Sequence, residues 1–227
     1  MRGVWRTLDR RLLTDVALVC VAVGLIGLSY GATAVAAGFP LWLPVVLGAL
    51  VLAAGSEFLF VGIIGAGGSP VAALLAGLLV NARHIPYGLS VPDVLGRGWR
   101  RVLGVHLMND ETVVMAIAQE EQERKWAAYW GCGLGILVIW PLSAAAGGLI
   151  GSVVPNTDAL GLDAMFPAVL LALILPALRD RTTLSSAVVG ALLALAATPF
   201  LPPGLPVLVA LAGVLLSVPA ARGAGAA

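Results

Sequence analysis

An almost wholly apolar, glycine-rich run from residue 40 to residue 90 holds the polar side chains that are best placed to do chemistry. They are Ser56 and Glu57 in the middle of the run, and Asn81, Arg83, His84 and Tyr87 near its end. Uncharged residues fill positions 58–82, a length that can cross a bilayer core of roughly 30 Å. A charge near the centre of a membrane helix costs about 2.5 to 3.5 kcal/mol. Polar groups kept in such a place are typical of proteins that move a solute across the membrane.

Glu57 and Arg83 each have a structural and a functional interpretation. Glu57 could end a shortened helix and bond to its neighbours, or it could titrate as substrate or a proton binds. Arg83 could pair with Glu57 across a helical hairpin, or it could bind a substrate carboxylate through two parallel N–H groups. It could also extend its side chain to the membrane surface. The residues alone leave these alternatives open.

The other candidates are weaker when they are taken singly. His84 could carry protons near neutral pH, although a lone histidine beside a helix end is more often structural. Asn81 and Tyr87 could donate hydrogen bonds to backbone or substrate, and Ser56 lies where a restarting helix would favour an anionic group. Asp163 opens a later apolar segment, where it could cap a helix or receive a substrate ammonium group.

The composition is that of an integral membrane protein. Of the 227 residues, 60% are hydrophobic and 11% are charged, and the mean hydropathy is +1.01. Soluble domains carry roughly 25% charged residues, so this chain has too few charges to cover a globule in water. A net charge of +1 without a basic patch gives no indication of nucleic-acid binding. Cys20 and Cys132 both lie in apolar runs, so we expect free thiols rather than a disulfide or a metal site, and no cofactor.

Seven apolar segments predict an all-α polytopic bundle that forms a single transporter domain over residues 1–227. The predicted spans are about 16–38, 41–62, 69–90, 127–152, 160–178, 182–199 and 204–221. The first is expected to be a retained span rather than a signal peptide. The proline-rich stretch 199–206 predicts a turn between the last two spans. The six tryptophans lie mostly near span ends and are expected to anchor the protein at the membrane interface.

The positive charges raise a conflict about topology. Every Lys and Arg except Arg83 lies on one side of the membrane if the N-terminus and residues 91–126 share the cytoplasm, as the positive-inside rule favours. That arrangement needs an even number of crossings before residue 91, yet three apolar segments precede it. One segment in 40–90 would then be broken or re-entrant, which is tolerated where the backbone is buried in protein or lines a wet cavity. Seven plain crossings remain the alternative, so the prediction is six to seven spans.

Residues 91–126 predict two amphipathic pieces. Residues 94–106 place apolar side chains on one helical arc and arginines opposite them, which is the pattern of a helix lying at the lipid interface. Asn109 could cap the second piece. Acidic residues in the first turn of that piece and Arg124 and Lys125 in its last turn would complement the helix dipole.

Several runs of the sequence form a recognisable set. They are Gly55-Ser56-Glu57-Phe58, residues 79–90 with the pattern Asn-x-Arg-His-x-x-Tyr-Gly, Asn109-Asp110-Glu111-Thr112, Gly161-Leu162-Asp163, Leu175–Arg179 and Leu201–Val207. Together these runs resemble the AzlC family, the large subunits of bacterial branched-chain amino-acid exporters. The resemblance extends from about Tyr30 to Ala212. Members typically carry glutamine at the position of Glu57, so this chain departs from the family pattern there.

The resemblance implies a permease subunit, not an enzyme, in the inner membrane of a bacterium. It would export branched-chain or related small hydrophobic amino acids together with a small hydrophobic subunit of the AzlD type. Residues 62–68 lack the Gly-Lys-Ser/Thr ending of a nucleotide-binding loop, so an ion or proton gradient is the expected energy source. The alternatives are a non-transporting assembly or regulatory subunit, or an intramembrane hydrolase that uses Ser56 and His84.

Overall fold

The computed structural model describes residues 10–153, 177–202 and 205–216, together with Leu171 and Leu175, and every regular element in them is helical. The α-helices are α1 (Arg10–Ala36), α2 (Trp42–Leu50), α3 (Ala54–Gly65), α4 (Pro70–Asn81), α5 (His84–Ser90), α6 (Trp99–His106), α7 (Asp110–Ile117), α8 (Gln122–Val153), α9 (Arg181–Ala197) and α10 (Leu205–Ala210). Two 3-10 helices cover Ala177–Arg179 and Leu211–Leu216. The predicted all-helical fold is confirmed for these residues.

The long helices α1 and α8 pack side by side and run in the same direction. The pairs in contact along them are Cys20 with Gly135, Leu28 with Gly147 and Ala32 with Gly151. At the N-terminal ends, Leu12 packs on Ala127 and Ala128. A Cβ atom on Gly147 would lie 2.0 Å from the carbonyl oxygen of Leu28, so this close approach requires glycine. The contacts therefore place the N-terminal ends of α1 and α8 at the same end of the bundle.

Within the described residues, α1 and α8 are the helices that are long and apolar enough to cross a bilayer. Helices α3 and α9 and residues 205–214 are apolar but shorter. The six to seven spans predicted from the sequence are therefore not confirmed as continuous helices. The predicted span 160–178 lies mostly outside the described residues.

Helix α2 runs antiparallel to α8. Leu41, just before α2, contacts the position of Gly148, whereas Gly48 near its end lies against Trp140. A Cβ atom on Gly48 would come within 2.9 Å of the Trp140 ring, so glycine allows the two helices to meet here. Helix α2 therefore descends along α8 only as far as the middle of that helix.

The chain reverses at residues 51–53, and α3 returns parallel to α1. Phe58 packs on Tyr30 with ring centroids 5.2 Å apart, and Gly65 lies against Ala37 at the far end of α1. Leu52 has a φ of 51°, a left-handed conformation that bulky residues rarely adopt, so the reversal is a tight turn. The predicted segment 41–62 is thus two helices of 9 and 12 residues. At 1.5 Å per residue they are about 14 and 18 Å long, roughly half a membrane core.

Helix α4 runs antiparallel to α3, and α5 continues beyond a short break. Gly77 of α4 faces Ser56, and Val80 lies beside Gly55. Ser69 caps the start of α4 by accepting a hydrogen bond from the N–H of Ala72 at 3.1 Å. Residues 82–83 separate α4 from α5, so the predicted segment 69–90 is also interrupted.

Residues 91–108 are fastened to the N-terminal half of α8. The indole N–H of Trp130 donates to the carbonyl oxygen of Val94 at 2.8 Å, and the Tyr129 hydroxyl donates to that of Gly104 at 2.7 Å. The amphipathic helix predicted over 94–106 is shorter than expected, since α6 begins only at Trp99. Val94 precedes the helix, and its side chain is buried.

The second predicted amphipathic piece also ends earlier than expected. Helix α7 stops at Ile117, and Arg124 and Lys125 lie in the first turns of α8. The prediction that these basic residues complete the dipole of α7 is wrong. Residues 118–121 provide a separate connection that the charge pattern does not reveal.

Helices α9 and α10 form an antiparallel hairpin. Gly190 lies against the carbonyl oxygen of Ala210, and Gly213 lies against that of Ser186. Helix α9 ends at Ala197 and α10 begins at Leu205, so the chain reverses within the predicted stretch 199–206, of which residues 205 and 206 already belong to α10.

Candidate functional site

Glu57 is buried at the tip of the α2–α3 hairpin. Its side chain is 1% exposed, and Oε1 accepts a hydrogen bond from the backbone N–H of Ala53 at 2.9 Å. The indole N–H of Trp140 lies 3.2 Å from Oε1 and 3.1 Å from Oε2. The carboxylate therefore covers the N-terminus of α3, where the helix dipole favours negative charge. It also joins the hairpin tip to the middle of α8.

Tyr30 and Trp140 form the aromatic wall around this carboxylate. Their rings stack with centroids 5.4 Å apart and planes at 11°. The Tyr30 hydroxyl lies near Glu57, although it makes no hydrogen bond of normal geometry within the described part of the chain. Trp140 is 2% exposed, so its predicted role as an interface anchor is wrong. The groups facing the carboxylate can all donate a hydrogen bond, which suits an acceptor-only side chain.

A cleft of about 230 Å³ lies between α2, α3 and α4 beside this tip. Its lining residues are Leu47, Val51, Ser56, Glu57, Phe60, Ala73, Leu74, Gly77, Leu78 and Asn81. The surface that it presents is almost entirely apolar, with the three polar residues at one end. Pockets for drug-sized ligands measure about 300–1,000 Å³, so the cleft suits a smaller molecule with an aliphatic chain.

Arg83 and Tyr87 both bind Asp110, which brings two distant runs of the sequence together. Arg83 Nη2 lies 2.9 Å from Asp110 Oδ2, with the two side chains 28% and 22% exposed. The Tyr87 hydroxyl donates a hydrogen bond to Asp110 Oδ1. Glu111 interacts electrostatically with both members of this ion pair, and burial raises the pKa of its carboxyl above the ordinary value. The site thus joins the break between α4 and α5 to the start of α7.

The local sequence holds Asp110 in a fixed position. Asn109 Oδ1 accepts from the N–H of Thr112, and Thr112 Oγ1 accepts from the N–H of Asn109, both at 2.9 Å. This reciprocal cap confirms the predicted role of Asn109 and satisfies helix-end donors that would otherwise be buried without partners. Asp110 is consequently presented from the first turn of an anchored helix.

The predicted pairing of Arg83 with Glu57 is wrong. Arg83 does reach the backbone near the hairpin tip, since a Cβ atom on Gly55 would lie 3.4 Å from its Nη2. Its ionic partner is nevertheless Asp110, while Glu57 takes its hydrogen bonds from Ala53 and Trp140. Glu57 and Arg83 therefore belong to two separate networks of polar contacts.

Two buried polar atoms at the end of α4 lack partners among the described residues. They are Asn81 Oδ1, an acceptor, and Arg83 Nε, a donor. His84 lies beside them, with its Nδ1 2.9 Å from the Asn81 backbone oxygen and its ring edge against Tyr87. An unsatisfied buried polar group costs about 1–3 kcal/mol, so these two atoms call for a ligand or water.

Ser56 and His84 do not form a nucleophile–base pair. The Ser56 hydroxyl donates to the Ala53 carbonyl oxygen at 2.9 Å, and His84 contacts the Asn81 carbonyl. A serine hydrolase needs its serine and histidine within hydrogen-bonding reach of each other. The geometry therefore gives the hydrolase interpretation no support. Asp163, the remaining predicted site residue, lies outside the described residues.

Sequence reasoning missed His106 and underrated Asp110. His106 Nε2 lies 2.9 Å from the carbonyl oxygen of Ala49, near the end of α2, where the interrupted helix leaves carbonyls without intrahelical donors. Asp110 was expected to serve only the helix dipole. A charge in a cap position gives no local signal of a partner 27 residues earlier, so only the tertiary structure reveals the ion pair.

Comparison with known proteins adds a family match over more than half of the chain. The profile of the family described as "AzlC protein" matches residues 18–154. An "Uncharacterized membrane protein" of Haemophilus influenzae is 31% identical over 135 residues, which are 57% of this chain and 55% of that protein. A "Branched-chain amino acid transport protein AzlC" of Bacillus subtilis is 30% identical over 151 residues, 64% of this chain and 58% of that protein.

The matched region spans somewhat more than half the length of these two relatives. The family match includes most of α1 and all of α2–α8, and with them Glu57, the cleft and the Arg83–Asp110 pair. No solved structure matches the chain.

Proposed function

The chain belongs to the AzlC family, and we propose that it is the larger membrane subunit of an exporter of branched-chain or related small hydrophobic amino acids. The name of the Bacillus subtilis relative supports the substrate class. The observation that carries the proposal is the small apolar cleft, which ends in polar groups beside two interrupted helices. We further propose that it works with a small hydrophobic subunit of the AzlD type in the inner membrane of a bacterium.

The proposed topology makes α2–α3 a re-entrant hairpin. If α1 and α8 both cross the bilayer, their parallel packing places their N-terminal ends on one side. Helices α2 and α3 then enter and leave through the opposite side, and α4 with α5 brings the chain back. This gives the even number of crossings that a shared cytoplasmic side for the two basic regions requires. Interrupted helices buried in protein are the usual frame for a substrate site at mid-membrane depth.

The substrate is proposed to lie in the cleft with its aliphatic side chain between α2 and α4. Asn81 Oδ1 would accept a hydrogen bond from the substrate ammonium group, since this buried acceptor has no partner in the described chain. The guanidinium of Arg83, two residues further on, would bind the carboxylate through its planar N–H groups. Ser56 would support the head group, and Tyr87 would hold Asp110 beside Arg83.

Energy is proposed to come from an ion or proton gradient. Glu57 lines the cleft, and His84 contacts the backbone oxygen of the lining residue Asn81, so they are the candidate coupling groups. Glu57 combines contact with the cleft and a hydrogen bond to the middle of α8, and a change in its charge would therefore act on both elements.

The proposal is tested by efflux of labelled amino acids from preloaded cells. Leucine, valine and methionine are compared in cells with the chain and its partner subunit, with each alone and with neither, at two external pH values. Faster efflux that needs both subunits and responds to pH is expected. Equal efflux with and without the pair, for all three amino acids, would remove the proposed function.

A further inference from the structure

Asp110 has one carboxylate oxygen bound by Arg83 in the α4–α5 break and the other bound by Tyr87 in α5. Oδ2 pairs with Arg83 Nη2, and Oδ1 accepts a hydrogen bond from the Tyr87 hydroxyl. The reciprocal cap between Asn109 and Thr112 keeps it in place. The sequence pattern assigns it only a place at a helix start, yet it supplies the one carboxylate that Arg83 contacts among the described residues.

The ion pair uses only part of the guanidinium. Asp110 meets Nη2, while Nε remains buried and without a partner in the described chain. A carboxylate that bound the Nε–Nη2 edge in the two-pronged geometry would need the same Nη2 that Asp110 now holds. The unpartnered acceptor Asn81 Oδ1 lies two residues away, beside the cleft. One unpartnered donor and one unpartnered acceptor, two residues apart in the chain, are the kinds of group that the carboxylate and the ammonium group of a zwitterion bind.

We propose that Asp110 is an internal competitor, which occupies Arg83 when the cleft is empty and is displaced by the carboxylate of an α-amino acid. This inference rests on the proposed export function. Displacement frees Asp110 from Arg83, so substrate binding loosens the link between the α4–α5 break and α7. When Asp110 returns to Arg83 it helps expel the substrate, so it acts as a positioning residue that sets affinity and release.

The deciding variant is Asp110→Asn, which keeps the shape of the side chain and removes its charge. The readout is counterflow of labelled leucine in proteoliposomes that contain the chain together with its partner subunit. Counterflow does not depend on the direction of export. Since a partly exposed ion pair is worth about 0.2–1 kcal/mol, removing the competitor should lower the leucine KM by up to about five-fold. The maximal exchange rate should fall, because release is no longer assisted.

Two further variants separate this role from a structural one. Tyr87→Phe releases Asp110 Oδ1 only, so its KM should fall in the same direction and by less. Glu111→Gln removes one negative charge from the same helical turn without touching the ion pair, and its KM should stay within about two-fold of the unaltered protein. If the ion pair were purely structural, Asp110→Asn would lower the thermal stability of the protein in detergent and leave the leucine KM unchanged.

The outcomes are distinct. A lower KM in Asp110→Asn and in Tyr87→Phe, with Glu111→Gln unchanged, supports the competitor. An unchanged or higher KM in Asp110→Asn overturns it while leaving export intact, and if that variant is not produced, the same result in Tyr87→Phe overturns it. Absence of leucine exchange by the unaltered pair overturns the proposed function and this inference together.

Discussion

The indole N–H of Trp140 lies within 3.2 Å of both carboxylate oxygens of Glu57, although 83 residues separate the two in the chain. This bond ties the tip of a hairpin, whose helices are each about half a membrane core in length, to the centre of the longest described helix. The same Oε1 already accepts from both Ala53 and Trp140, so one oxygen atom satisfies two buried donors. A glutamine, which the family resemblance leads one to expect at this position, can keep both bonds through its single carbonyl oxygen.

Glu57→Gln should therefore fold and transport. The amide group of the glutamine can donate to the nearby Tyr30 hydroxyl, which accepts as well as donates. The free energy of unfolding should therefore change by less than about 1 kcal/mol. If Glu57 couples efflux to protons, the variant keeps substrate exchange and loses its dependence on external pH. An unchanged pH profile would move the coupling role to His84.

Glu57→Leu is the matched change that removes the hydrogen bonds as well as the charge. It leaves the Ala53 N–H and the Trp140 N–H buried without an acceptor, at about 1–3 kcal/mol for each group. The purified variant should unfold at a clearly lower temperature than Glu57→Gln, and its efflux should be lost. Equal melting temperatures for the two variants would show that the bond to Trp140 contributes nothing to the hairpin.

The sequence predicts local features of this site well and its long-range partners poorly. The cap at Asn109 depends on residues three positions apart, so the spacing alone reveals it. The pairing of Arg83 with Asp110 depends on how α5 approaches α7, which no local pattern encodes. The sequence assigns Trp140 to the membrane interface together with the other tryptophans, most of which lie near span ends. Its burial against Glu57 depends on the reversal of the chain at residue 52, which no local pattern reveals.

Arg83→Lys should fold and yet fail nearly as badly as Arg83→Ala in leucine exchange. A lysine ammonium can still reach Asp110 as a point charge, so the ion pair and the thermal stability should largely persist. It lacks the planar fork that a substrate carboxylate is proposed to bind. Normal exchange by the lysine variant, at equal expression, would show that the residue serves only Asp110 or the membrane surface.

The cap of α9 gives a prediction that is independent of transport. The backbone N–H and hydroxyl of Thr183 both donate to Asp180, and these bonds hold the pKa of its carboxyl below the ordinary value of 3.8. A lowered pKa means that the cap is fully present above pH 3.8 and is lost as the pH falls through the lowered value. At neutral pH, Asp180→Ala should fray α9 and speed trypsin cleavage after Arg179 and Arg181. Asp180→Asn should not, because asparagine also caps helices.

The re-entrant hairpin can be separated from seven plain crossings by the position of the α3–α4 turn. In the re-entrant arrangement Ala66 shares a side with Ala37 at the end of α1, and Arg10 shares the opposite side with Glu123 at the start of α8. Seven crossings instead place Ala66 with Arg10 and Glu123 with Ala37. The four positions are exposed, so each is changed singly to cysteine in a background that carries Cys20→Ala and Cys132→Ala.

A membrane-impermeant thiol reagent applied to intact cells should label positions 37 and 66, and it should reach positions 10 and 123 only after the membrane is opened. The parallel contacts between α1 and α8 underlie this expectation, since two helices that run in the same direction cannot begin on opposite sides of a bilayer that both of them cross. Labelling of position 66 together with position 10 would return the hairpin to a full crossing. The Glu57–Trp140 bond would then have to be explained without a re-entrant tip.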